Sequence, residues 1–357
     1  MKILLRRFFT AALLWLFVIS LRAQIPPGYY DGTSQLSGEA LQMELHQIIK
    51  NHQVRTYAQL WQDFYLTDRR QDDKVWDVYS DVPGGTAAYT YDFFTDQCGN
   101  YSGEGSCYNR EHSFPASWFD DQLPMYTDLF HILPTDGYVN NRRGNHPYAE
   151  VGQASWTSTN GSRLGTSATS GYSGTAFEPI DAYKGDIARG LMYMSTRYLG
   201  EDTNWPGSEM VTGAQPKPWA RQLLLQWHFQ DPVSEKEINR NNAIYLIQQN
   251  RNPFIDHPEF ADFIWNPAAA VAENSISLQL WPNPVTDEAK LSVHFTGVVQ
   301  DFEITVSDIS GRNVFSVVPE SRTSTIDLPV NHLLPGFYLL KVTGNDSQST
   351  TVKLIKN

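Results

Sequence analysis

Between Gly38 and Asn51 the apolar residues Leu41, Leu45, Ile48 and Ile49 recur at three-to-four spacing, which predicts a helix with one buried face. From Val75 to Asp92 the period changes. VWDVYSDV reads as a strand, Gly84-Gly85 as a turn, and the run after it as a second strand. Residues 154–175 are a Ser/Thr/Gly tract of loops and short strands rather than a module of their own. Helical spacing returns at 180–199, with Ile187, Leu191 and Met194 on one side. Residues 216–230 start on a proline and carry an apolar stripe. Residues 233–250 open on Ser234-Glu235-Lys236-Glu237, a capping box. These helices would form the bulk of a core.

At 267–275 (PAAAVAENS) the periodicity stops, and small residues mark a linker. Beyond it come ISLQLW, AKLSVHF, FEITVSD, RNVFSVV, TSTIDL, GFYLLKVT and TTVKLIK. Seven short alternating runs separated by turn signals predict an all-β, Ig-like sandwich. The expected fold is therefore an α+β domain with surrounding helices, followed by that sandwich.

The N-terminus changes the picture of where the chain goes. Lys2, Arg6 and Arg7 precede the apolar run Phe8–Ser20, which is short of the roughly 20 residues of a membrane span. Leu21-Arg22-Ala23 then offers a small residue before Gln24. Residues 1–23 read as a signal peptide, with an uncleaved anchor as the alternative. No second apolar stretch approaches spanning length, so no membrane span is expected in the mature chain. The predicted division is 1–23 signal peptide, 24–266 first domain, 267–275 linker and 276–357 sandwich.

Charged residues are 18% of the chain, below the roughly 25% of an average globular protein, while many Tyr, Trp, Asn, Ser and Gly suit a secreted surface. Two cysteines, Cys98 and Cys107, flank a Gly/Ser-rich loop, and in an exported chain they are expected to form a disulfide. A zinc site is the weaker reading, because no further Cys or His clusters beside them. Residues 24–275 hold 17 basic against 31 acidic side chains, a net of −14. That excludes nucleic-acid binding by a broad basic face. Phosphate binding has to be local, with a divalent cation supplying much of the positive potential.

The candidate chemistry lies in NREHSFP at 109–115 and DLFHILPTDGYVNNRRGN at 128–145. Glu111 and His112 are adjacent, so on an extended segment they point to opposite faces. Sharing one task then needs a kink, a bulge, or a metal approached through one of them. Thr135 or Asp136 can cap a helix bearing Asn140, with Gly144 near its end. Strands around 107–113 and 128–133 followed by that helix would make a ββα unit. Glu111 and Asn140 would hold Mg²⁺, with Mn²⁺ or Ca²⁺ as substitutes, and leave coordination positions for phosphate oxygens. A neutral His112 would take the proton from water while its other ring nitrogen bonds a backbone carbonyl. Arg142 and Arg143 lie within one helical turn of Asn140, and either could pair with phosphate. His131, in the second expected strand, could line the site, although a structural histidine is the commoner case. Glu178, Lys184, Asp186 and Arg189 read as a buried ion network. Residues 250–257 read as a hydrogen-bonded turn.

These residues resemble the bacterial endonuclease I family of ββα-metal nucleases, from about residue 38 to 265. The matching stretches begin with Arg110-Glu111-His112-Ser113-Phe114-Pro115, Leu133-Pro134, Val139-Asn140 and Arg143-Gly144-Asn145. They continue with Phe177-Glu178-Pro179, Lys184-Gly185-Asp186-Ile187-Ala188-Arg189 and Asn250 through Pro258. Each is weak alone, and their order and spacing are specific. The resemblance implies a secreted or periplasmic, sequence-nonspecific endonuclease acting on DNA, with RNA as a further substrate, and giving 5′-phosphate ends. His112 matches the family's general base, and Glu111 and Asn140 its metal ligands. Some members carry a longer, Cys-containing insertion before the Asn helix. Here that interval is short, so arginines of the insertion have no counterpart, and the phosphate role of Arg142 or Arg143 rests on proximity.

The tail resembles the type IX secretion sorting domain of Bacteroidetes. The marks are Pro282-Asn283-Pro284, Asp308-Ile309-Ser310-Gly311-Arg312, Leu334-Pro335-Gly336-Phe337-Tyr338-Leu339 and a Lys-rich last strand. This implies export through the type IX machinery by way of residues 276–357, and a secreted or cell-surface protein. Two other readings remain at this point. One is an extracellular phosphodiesterase acting on small phosphate esters, and the other is a non-enzymatic surface adhesin.

Overall fold

The computed structural model describes residues 25–266 and, in the tail, 277–281, 283–286, 291–296, 302–309, 311–318, 325–344 and 349–357. The expected signal peptide and linker lie outside the described residues.

Helix α1 (Gly38–Ile49) buries Leu41, Leu45 and Ile49 along one stripe, as its spacing requires. A short α2 (Leu60–Thr67) follows, which the sequence pattern did not reveal. The hairpin expected over 75–92 does not form. Val75, Val78 and Tyr79 are buried, but only isolated bridges, Arg69 to Val75 and Lys74 to Asp92, pair this stretch. The reason is Asp77, whose carboxylate accepts from its neighbour Tyr79 N at 2.8 Å and from the distant Asp136 N at 2.9 Å. A side chain that bonds the backbone two residues on competes with a ladder.

Strands β1 (Tyr108–His112) and β2 (Ile132–Asp136) pair antiparallel in unbroken register from Tyr108–Asp136 to His112–Ile132. Pro134 is tolerated because this sheet has only two strands, so every strand is an edge. Helix α3 (Gly137–Arg143) follows at once, capped by the Asp136 side chain on Val139 N at 2.8 Å. It ends at Gly144, whose φ of +54° glycine adopts without strain.

The Ser/Thr/Gly tract contributes to an antiparallel sheet, β3 (Val151–Thr157), β4 (Arg163–Ser167) and β5 (Thr175–Glu178), in that spatial order. Helix α4 (Lys184–Arg197) is buried on nearly all sides rather than along the expected stripe. Its charged residues are therefore paired inside the protein. Lys184 Nζ lies 2.8 Å from Glu178, and Arg189 forks onto Glu237. The expected ion network is thus two separate clusters. Asp186 joins the second cluster through Arg189 at 3.7 Å and also pairs with Lys236 at 2.7 Å, and among the described residues neither cluster bonds the β1–β2 hairpin.

Short strands β6 (Val211–Thr212) and β7 (Gln215–Pro216) lead into α5 (Pro218–Gln230). Next comes α6 (Glu235–Gln248), whose Ser234–Glu237 capping box forms in both directions. The turn at 250–257 contains a short helix, α7 (Pro253–Asp256), followed by α8 (Glu259–Trp265). One continuous apolar cluster runs from Leu41 to Ile264 and holds this α/β region together.

In the tail the seven alternating runs are seven strands: β8 (Ser277–Trp281), β9 (Leu291–Thr296), β10 (Phe302–Asp308), β11 (Asn313–Val317), β12 (Thr325–Leu328), β13 (Gly336–Gly344) and β14 (Ser349–Lys356). They form a four-stranded sheet, β11-β10-β13-β14, and a three-stranded sheet, β12-β9-β8. A separate apolar cluster includes Ile304, Val306, Leu340, Val342 and Leu354 from the first sheet and Leu328 from the second.

Candidate active site

The hairpin is held at its connected end by the loop before β2. Asp128, fully buried, accepts from Phe130 N at 3.2 Å and Gln248 Nε2 at 3.0 Å through one oxygen, and from the hydroxyls of Tyr193 and Tyr198, each at 2.9 Å, through the other. Nearby His52 is the first cause that keeps this carboxyl below its ordinary range against the effect of burial. The turn it builds delays the second strand to residue 132, so His131 sits in the turn and not in the strand. His131 is fully buried, with Nε2 2.8 Å from Met125 O, and burial pushes its pKa down.

Glu111 and His112 leave β1 on opposite faces, and the unbroken register shows no bulge to reconcile them. Glu111, 2% exposed, enters a polar pocket. Its Oε1 accepts from Tyr79 at 2.9 Å, Arg143 Nη1 at 3.0 Å and Tyr148 at 3.4 Å. Among the described residues its Oε2 accepts no hydrogen bond. Burial raises the pKa, and Arg143 and the two tyrosines work against that rise.

Arg143, 1% exposed, also donates to His112 O at 2.9 Å and Ser113 O at 2.7 Å, and its guanidinium lies 4.4 Å from the centre of the Tyr148 ring. Its donors thus point into the protein, holding the strand end and Glu111 together.

Asn140 projects from α3 toward the Glu111 face of β1. Its Nδ2 donates to Asn109 Oδ1 at 2.8 Å, and among the described residues its own Oδ1 has no hydrogen bond. One carboxylate oxygen and one amide oxygen therefore stay unengaged on that side. Both are hard oxygen donors that suit Mg²⁺, which usually keeps several waters and takes few protein ligands. Among the described residues no three His, Cys, Asp or Glu side chains converge as a metal cluster, so any centre here has to be of this sparse kind.

His112 occupies the other face. Its Nε2 lies 3.2 Å from Tyr126 O. A carbonyl only accepts, so Nε2 carries the proton and Nδ1 keeps its lone pair. The ring stacks on Tyr126 at 4.8 Å, with Phe119 at 6.3 Å and His131 at 5.6 Å. Burial first, and the charge of His131 next, push its pKa down to about 3, so the imidazole is neutral at ordinary pH. On the same face Arg110 is sandwiched between Tyr57 at 3.4 Å and Trp61 at 4.3 Å.

Arg142 is exposed. Its Nε and Nη2 donate to Tyr138 Oη at 3.1 and 2.6 Å, and among the described residues it forms no ion pair. The structure thus brings Glu111, Asn140 and Arg143 to one side of the hairpin and His112 and His131 to the other, with Arg142 on the outside of α3. Tyr79, Tyr148, Tyr126 and Asp128 were missed by sequence reasoning. Isolated tyrosines and one aspartate carry no periodic or motif signal. Asp77, also missed, ties Tyr79 to the hairpin, and burial raises its pKa to about 7. The two cysteines form the expected disulfide.

A family model described as Endonuclease I matches residues 37–259, and one described as Secretion system C-terminal sorting domain matches residues 279–357. An extracellular ribonuclease of Bacillus subtilis (strain 168) is 34% identical over 247 residues, covering 66% of this chain and 78% of its own. An extracellular ribonuclease of Bacillus amyloliquefaciens is 36% identical over 244 residues, with the same coverage of 66% and 78%. Endonuclease-1 of Buchnera aphidicola subsp. Baizongia pistaciae is 30% identical over 129 residues, 36% of this chain and 46% of its own. Among the described residues no helix is long and apolar enough to cross a membrane. The sorting domain makes this a secreted or cell-surface protein. The chain belongs to the endonuclease I family: it is a nuclease, exported by a type IX secretion sorting domain at its C-terminal end.

Proposed function

We propose that this protein is a divalent-metal-dependent, sequence-nonspecific endonuclease that cuts DNA and RNA to leave 5′-phosphate ends. The observation that carries the reading is the division of labour across β1. Glu111 and Asn140 each leave one oxygen unengaged on one face, and a neutral His112 with a lone pair on Nδ1 stands on the other. In-line displacement at phosphorus needs the entering water and the leaving oxygen on opposite sides. Glu111 and His112 diverge with the strand between them and no bulge reconciles them, so in this reading a metal held by Glu111 and Asn140 would have to extend that side's reach to the phosphate.

In this reading Mg²⁺, or Mn²⁺ or Ca²⁺ in its place, would be held by Glu111 and Asn140 and would supply positive charge to the phosphate and the leaving 3′-oxygen. His112 takes the proton from the attacking water at Nδ1 while Tyr126 O holds its other nitrogen. Arg143 positions Glu111 and the end of β1. Arg142, exposed and without a carboxylate partner among the described residues, is the residue for substrate phosphate, and His131 backs the His112 ring. The β1–β2 hairpin with α3 reads as a ββα-metal unit, and the two tail sheets read as an Ig-like sandwich. The division 1–23, 24–266, 267–275 and 276–357 fits both. Relatives named as extracellular ribonucleases favour RNA among the substrates. Partners are nucleic acid and, through residues 276–357, the type IX machinery.

The test is nicking of supercoiled plasmid and cleavage of a structureless RNA. Both should require Mg²⁺, stop with EDTA, and disappear in His112→Ala while DNA binding persists. Cleavage that survives EDTA would sink the reading. Hydrolysis of a small phosphodiester with plasmid left intact would replace the nuclease by a phosphodiesterase.

A further inference from the structure

We propose that Tyr138, Trp156 and Arg142 form a stacking subsite that takes an unpaired base of single-stranded nucleic acid beside the scissile phosphate. The inference rests on the nuclease reading above and adds a preferred substrate class to it.

Three separate segments converge here. Tyr138 and Arg142 are one turn apart on α3, Trp156 comes from β3, and Tyr101 comes from the loop closed by the Cys98–Cys107 bridge. The Tyr138 ring stands edge-on to Trp156 and to Tyr101, each at 6.2 Å. The Arg142 guanidinium lies 5.0 Å from the Tyr138 ring centre and 5.7 Å from that of Trp156. All three rings are half-buried, so each keeps surface open to solvent. Tyr101 can come this close to α3 because position 137 is glycine. A Cβ there would lie 2.9 Å from the tyrosine ring.

The charge pattern is what points to a ligand. The domain carries 31 acidic against 17 basic side chains over residues 24–275, yet Arg142 has no carboxylate partner among the described residues. It is held by a tyrosine hydroxyl through Nε and Nη2, and its Nη1 has no partner among the described residues. A fixed guanidinium among aromatic rings matches a nucleotide, with phosphate on the cation and base on the rings. In a duplex the base faces are covered by their neighbours, so only an unpaired strand can use the rings. Residues 138 and 140 are about 200° apart around a helix. The stacked base therefore belongs to a nucleotide that neighbours the one at Asn140, not to the scissile one.

The experiment measures binding in EDTA, where cleavage is suppressed, by fluorescence anisotropy on the full-length secreted protein. The probes are a short single-stranded oligonucleotide and an abasic oligomer of the same length and charge. The base-bearing strand should bind roughly tenfold or more tightly than the abasic one, the scale of one stacked base. Trp156→Ala and Tyr138→Leu should each remove most of that difference. Tyr138→Phe should keep the difference while weakening both probes, because the ring stays and the hydroxyl holding Arg142 goes. Equal affinity of the wild-type protein for the two probes would overturn the proposal, and so would a Trp156→Ala variant that retains the full difference. The wild-type comparison needs no variant to fold. Plasmid nicking reports separately on the nuclease reading, so either idea can fail alone.

Discussion

Arg143→Ala tests whether this arginine holds the site together or touches substrate. The guanidinium is 1% exposed and pairs with a Glu111 that is 2% exposed. It donates to Glu111 Oε1 at 3.0 Å, His112 O at 2.9 Å and Ser113 O at 2.7 Å. Removing one partner of a buried ion pair costs about 3–5 kcal/mol, because the remaining charge keeps its desolvation penalty and loses its compensation. Tyr79 and Tyr148 still donate to Glu111, which moves the expectation toward the lower end, and the two stranded carbonyls move it back up. A domain of this size shifts by about 2–4 °C per kcal/mol, so the melt should fall by roughly 6–20 °C. The assay is a thermal melt of the metal-free protein followed by near-ultraviolet circular dichroism, which reads the packed aromatics of the nuclease region. The double variant Glu111→Gln/Arg143→Met should recover much of the loss, since no unpaired charge is then buried. A melt within about 2 °C of wild type, accompanied by loss of nicking, would refute the reasoning. It would move Arg143 from a positioning residue to one that reaches the phosphate.

Two further outcomes follow from the same geometry. Asp77 has its carboxyl raised by burial to about 7, well above its ordinary range. Its contribution to stability is therefore full at acid pH and lost as pH rises through 7, because the buried charged form is disfavoured. A carboxyl-carbon NMR titration should find a midpoint near 7, and a midpoint in the ordinary aspartate range would contradict the burial. The Cys98–Cys107 bridge spans a sequence separation of 9. Replacing both cysteines by serine should cost about 2.5 kcal/mol from loop-closure entropy, measured as a fall in denaturation midpoint. The same variant should weaken binding of the base-bearing oligonucleotide, because Tyr101 loses its tether.

Elements with a strong local signal are legible in the sequence itself. The Ser234–Glu237 capping box starts α6, Asp136 and Gly144 bracket α3, and seven alternating runs become seven strands. Capping, turn chemistry and period are properties of a few consecutive residues, so the sequence carries them directly. The hairpin read into 75–92 failed because Asp77 makes both a two-residue local bond and a bond to Asp136, 59 positions away. The second strand began late because buried Asp128 draws its donors from Gln248, Tyr193 and Tyr198.

For the site, order and spacing in the chain were enough to single out Glu111, His112 and Asn140, and adjacency alone required the first two to diverge. Only the folded chain decided what each faces. Three donors converge on one oxygen of Glu111, Asn109 orients the Asn140 amide, and Tyr126 sets the tautomer of His112. Two neighbouring arginines that the sequence could not tell apart also received different surroundings. Arg143 falls on the inner side of α3 against Glu111, and Arg142, one residue earlier, falls on the outer side against Tyr138. The 100° step of the helix separates them, and it acquires an inside and an outside only when the helix packs.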